Sequence, residues 1–122
     1  MLGKIKILEY KILCIIGDLE CERKQEQEIL IDLEVKRDFF VCAKSDNLND
    51  TLDYVSLANS CKRVAVEGKY RLVETCAYEI MLNLFDSHNI AWAKLKIRKP
   101  FAFEGGAYAE VELEHFRDNE EI

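Results

Sequence analysis

Alternating apolar and polar positions mark the two ends of the chain, and a longer period fills the middle. Over about Glu26 to Phe40, Ile29, Ile31, Leu33 and Val35 alternate with Leu30, Asp32, Glu34 and Lys36, the period of a strand with one covered face. An extended segment from roughly Lys4 to Ile16 precedes it, and the two are expected as a long antiparallel pair. Their connection, Gly17-Asp18-Leu19-Glu20-Cys21-Glu22-Arg23-Lys24, is carboxylate-rich and longer than a tight hairpin turn. Beyond the turn-rich Ser45-Asp46-Asn47-Leu48-Asn49-Asp50 the period changes. Val55, Ala58, Cys61, Val64 and Ala65 share one face of a helix expected from Asp53 to Glu67, with Gly68 ending it. A second helix, about Leu72 to Ser87, repeats the stripe with Val73, Ala77, Ile80 and Leu84. Strands return at Ala91 to Lys99 and Ala107 to His115. The order ββααββ predicts an α+β fold, a four-stranded antiparallel sheet with two helices on one face. Lys94, Lys96 and Arg98 would then meet Glu110, Glu112 and Glu114 across the last pair.

The length of 122 residues suggests a single domain over 1–117 with a tail at 118–122. Lys and Arg total 17 against 23 Asp and Glu, and a net charge of −6 disfavours a nucleic-acid partner. No apolar run approaches the length of a membrane span, and the first residues lack a signal-like apolar core, so no membrane partner is expected. Cys14, Cys21, Cys42, Cys61 and Cys76 form no C-x-x-C pair and read as free thiols, in keeping with a cytoplasmic protein. The two histidines, His88 and His115, belong to no zinc-binding arrangement; no metal and no cofactor are expected.

Four polar residues stand out against this background. Lys99 closes the third strand with the parity of Ala93, Leu95 and Ile97, which directs its ammonium toward a covered surface. Desolvation there would lower its pKa into acid/base range, although a strand-ending lysine can also snorkel to water. Glu74 shares a helical line with Tyr78, Met81 and Phe85 rather than with the polar stripe. It could accept paired N–H bonds from an amidine-like edge, or simply be a helix-start carboxylate stabilised by the dipole. Tyr54 stands where Thr51-Leu52-Asp53 enters the first helix and could present a phenol or only pack. Glu22 alone reads as a solvated loop charge. Phe101 and Phe103, beyond Pro100, read as core residues before a stacking wall.

Taken in order, Leu8-Glu9, Ile15-Ile16-Gly17, Glu22 with Gln25-Glu26-Gln27, the run from Ser45 to Tyr54, Leu72-Val73-Glu74 and Lys99-Pro100 resemble the dihydroneopterin aldolase family of folate biosynthesis. The resemblance covers about residues 4 to 115. It implies the tunnelling fold, whose protomers close into rings, commonly homotetramers stacked as homo-octamers, with sites between subunits. It also implies metal-free retro-aldol cleavage of 7,8-dihydroneopterin, a pterin, to 6-hydroxymethyl-7,8-dihydropterin and glycolaldehyde. By this resemblance Glu74 and the Val73 backbone anchor the pterin and Glu22 helps hold the substrate. Tyr54 acts near the reacting side chain from an adjacent subunit, and Lys99 is the acid/base. Asp18, Cys21 and the segment Phe101 to Gly106 depart from the family's usual residues, which bears on substrate choice. An epimerase acting on dihydroneopterin or its triphosphate, and a non-catalytic pterin-binding module, are the alternatives.

Overall fold

The computed structural model of the chain describes residues 1–118, so the expected tail lies outside the described residues apart from Asp118. In chain order the elements are β1 (Leu2–Cys14), β2 (Gln27–Asp38), α1 (Phe40–Ser45), α2 (Tyr54–Gly68), α3 (Val73–Ser87), β3 (Trp92–Lys99) and β4 (Ala109–Phe116). The strands form one antiparallel sheet in the order β1-β2-β3-β4, with α2 and α3 on one face, as the periodicities predict.

The core explains why the register is unique. Ile12, Ile29, Ile31, Leu33, Leu95 and Ile97 from the sheet pack against Leu57, Cys61, Ile80 and Leu84 from the helices, each essentially inaccessible to solvent. Burying each such Leu or Ile is worth roughly 1.5–3 kcal/mol. The helix-free face carries charge pairs instead: Lys4 with Glu34 at 3.3 Å, Lys96 with Glu112 at 3.6 Å and Arg98 with Asp32 at 2.8 Å. The more exposed of these contribute at most about 1 kcal/mol each. A one-residue slip would exchange the two faces, so the buried side sets the register and the charges follow it.

Three local details differ from the sequence pattern. The second strand ends at Asp38, because its carboxylate accepts the Phe40 N–H at 2.9 Å and turns the chain into α1, a helix the alternation does not foretell. β1 carries a bulge, with Glu9 at φ 55° and its N–H donating to Asp32 Oδ1 at 2.7 Å. Gly68 is the last helical residue rather than the terminator; Lys69 takes the left-handed conformation at φ 47°. The Tyr70 ring fills the space that a Cβ on Gly68 would need.

Cys14, Cys61 and Cys76 lie buried between sheet and helices, and burial pushes their thiols up to about 11, about 12 and about 12 respectively. Cys21 is exposed. In the native protein a disulfide-exchange reagent at about pH 8 should therefore label Cys21, and label the three buried thiols only after denaturation. Labelling of Cys61 without unfolding would contradict this packing.

Candidate active site

Two strands deliver polar side chains to the helix-bearing face at one end of the sheet. Gln27 opens β2 with the parity of Ile29 and Ile31, and Lys99 closes β3 with the parity of Leu95 and Ile97. Arg98 lies opposite Leu30, so the start of β2 and the end of β3 are neighbours. Between them stands Glu22, presented by a single turn of 3-10 helix, Cys21–Arg23. Its Oε2 is ion-paired with the Lys99 ammonium and accepts the Gln27 amide at 2.9 Å, while its Oε1 accepts the Leu19 N–H at 3.2 Å. The Lys99 and Glu22 side chains are only 14% and 17% exposed.

Gly17 makes this approach possible. Its φ of 125° is closed to most residues, and a Cβ there would run into the Glu22 carboxyl group. Partial burial raises the Glu22 pKa, but the Lys99 ammonium, the Gln27 amide and the Leu19 N–H outweigh it. The carboxyl group is therefore held below its ordinary value. Glu22 is thus no solvated loop charge but the counter-ion of Lys99.

The other predicted residues take two different places. The Gly17 N–H donates to the Tyr70 carbonyl at 3.1 Å, tying the Glu22 loop to the segment that enters α3. Glu74 lies four residues beyond Tyr70, a backbone reach of at most about 14 Å. It is exposed in the first turn of α3, beside half-buried Val73. Leu72, the N-cap, offers no side-chain acceptor, which leaves first-turn N–H groups free of a side-chain cap. Tyr54 lies elsewhere. It is exposed and lines a cavity of about 310 Å³ with Ile5, Phe39, Leu48 and Leu52. Ile5 pairs with Val35, five residues along β2 from Leu30, or about 17 Å at ordinary strand rise. Within one chain, then, Lys99, Glu22 and the start of α3 share an end of the sheet, and Tyr54 occupies the other.

Phe101 and Phe103 are not core residues: they are 75% and 57% exposed. Their loop passes through Gly105 and Gly106, both at positive φ, where an added Cβ would meet nothing within 4 Å. Sequence reasoning also left Gln27 and Gly17 without roles. Gln27 carried the same signal as Lys99, a polar side chain with apolar parity at a strand end.

The depressed Glu22 pKa has a defined sign for stability. Its contribution is fully present above the ordinary value of 4.5 and is lost as pH falls through the lower folded value. Denaturation of the parent and of Glu22→Gln should show the parent's advantage at neutral pH shrinking in acid below about pH 4.5. An advantage that is constant across that range would contradict the pairing.

The chain is similar to known proteins over nearly its whole described length. The family model described as dihydroneopterin aldolase (FolB) matches residues 5–115. The chain is 30% identical to Escherichia coli K12 dihydroneopterin aldolase over 108 residues, covering 88% of each chain. It is 31% identical to a Streptococcus pyogenes serotype M6 dihydroneopterin aldolase over 99 residues, covering 80% of this chain and 83% of that one. The structure of the E. coli enzyme in complex with neopterin superposes with a TM-score of 0.89 at 28% identity, covering 93% of this chain and 98% of that one. A match spanning nearly every described element, together with the four-stranded antiparallel sheet carrying two long helices, places this chain in the dihydroneopterin aldolase family of folate biosynthesis.

Proposed function

We propose that this chain cleaves 7,8-dihydroneopterin by a retro-aldol reaction to 6-hydroxymethyl-7,8-dihydropterin and glycolaldehyde. The observation that carries the proposal is the partly buried Lys99–Glu22 pair beside the segment that leads to Glu74. The Glu74 carboxylate accepts the ring N–H and 2-amino group of the pterin, and the Val73 backbone lies alongside the same edge. Glu22 holds the substrate side chain near Lys99. Loss of the proton from the side chain's second hydroxyl lets the adjacent C–C bond break and release glycolaldehyde. The electron pair passes into the C=N bond of the dihydropterin ring, so no imine with lysine is required. Reprotonation of the remaining side-chain carbon yields the hydroxymethyl product. Lys99 moves these protons through water, and Tyr54 assists at the hydroxyl and in reprotonation.

Tyr54 belongs to the site only if it comes from another copy, given its distance from Lys99 along the sheet. The exposed edges of the sheet, β1 and β4, favour closure of several copies into a homotetrameric ring, or a homo-octamer of two rings, of one tunnelling-fold domain each, 1–117. Five free cysteines suit a cytoplasmic setting.

Incubation with 7,8-dihydroneopterin, following glycolaldehyde and the epimer together, tests the reaction. Glycolaldehyde is expected as the main product, with Lys99→Ala losing turnover by about a hundredfold or more while still binding neopterin. Epimer without glycolaldehyde would make the protein an epimerase, and full turnover by Lys99→Ala would remove the proton carrier. Neither Lys99→Ala nor Tyr54→Phe should work well alone. Reassembled together they should recover a fraction of parental activity; no recovery in verified mixed oligomers would contradict a site shared between chains.

A further inference from the structure

The loop that presents Glu22 is held by a residue so far without a role. Arg23 follows Glu22 directly and is half-buried. Its Nη1 donates to the carbonyls of Gly17 at 3.1 Å and Tyr70 at 3.2 Å, and its Nη2 to the carbonyl of Lys69 at 2.7 Å. Two of these acceptors lie just past the end of α2, where the left-handed turn at Lys69 leaves carbonyls without helical partners. The third belongs to Gly17, whose missing Cβ admits the Glu22 carboxylate and whose N–H donates to Tyr70. One planar guanidinium therefore fastens the loop bearing Glu22 to Lys69 and Tyr70, just before the N-cap of α3, the helix that carries Glu74.

We infer that Arg23 is a positioning residue: it sets the separation between the proton-handling pair and the pterin-anchoring carboxylate. The inference rests on the roles proposed for Glu22, Lys99 and Glu74. A lysine could not reproduce it, because one ammonium cannot span three carbonyls with the fixed geometry of a fork. The nearby Arg71–Asp18 bridge, at 3.1 Å, joins the same two segments but is mostly exposed, and so contributes little to holding them.

Arg23→Ala should keep its fold by circular dichroism while kcat/KM for 7,8-dihydroneopterin falls by about tenfold to a hundredfold, with KM raised as well as kcat lowered. Millimolar guanidinium should restore a substantial part of that loss, and Arg23→Lys should remain impaired. Arg71→Ala, which removes the exposed Arg71–Asp18 bridge, should stay within about twofold of the parent. Activity of Arg23→Ala within twofold of the parent, or a loss that guanidinium does not relieve, would overturn the assignment. Titration of Glu74→Gln with neopterin separates the two layers of argument. Unchanged affinity there refutes the anchor role itself, whatever Arg23 does.

Discussion

An ammonium group on the covered side of a sheet needs a counter-charge, and the site is built around meeting that need at Lys99. Strand alternation places its side chain on the helix-bearing face, where an unpaired charge would cost several kcal/mol. Glu22 supplies the opposite charge, with the Gln27 amide on the same carboxylate oxygen. The carboxylate can reach that point only because Gly17 has no Cβ. The loop around it is fastened in turn to the carbonyls of Lys69 and Tyr70. A parity rule in one strand thus propagates into the conformation of a loop, the ending of α2 and the start of α3.

The same sheet that brings Lys99 and Glu22 together keeps Tyr54 away. Antiparallel pairing sends the start of β2 and the end of β3 to one end, and the junction between β2 and the helices to the other. In the proposed function a single chain would carry complementary parts of a site at opposite ends, an arrangement suited to assembly through the exposed sheet edges. The flat pterin would be held by an edge-on carboxylate from one copy while its side chain lies between the lysine of that copy and the phenol of another.

Much of this was legible from alternation alone. The four strands, the two long helices and the cross-strand charges all follow from period, because burial of Ile and Leu dominates the choice of register. Lys99 was legible for the same reason, as a charge with apolar parity. Gln27 carried an equal signal, obscured because an uncharged amide at a strand start looks ordinary. Glu22 was not legible by itself. Its surroundings depend on Gly17, Leu19, Gln27 and Lys99, contacts between segments that no local pattern encodes. The strand expected to reach Phe40 but ending at Asp38, and the helix that includes Gly68 instead of stopping before it, reflect side-chain contacts, an aspartate turning the chain and a tyrosine ring over a glycine. Phe101 and Phe103 misled because aromatic residues usually mark a core, whereas here they ride on an outstanding glycine loop.

The central claim is that Lys99 and Glu22 act as one unit, and a double-mutant cycle on kcat/KM with Glu22→Gln and Lys99→Ala tests it most directly. The account predicts strong non-additivity: once Glu22 is replaced, removing Lys99 costs far less than it does in the parent. Losses that simply multiply, as for two independent residues, would contradict it.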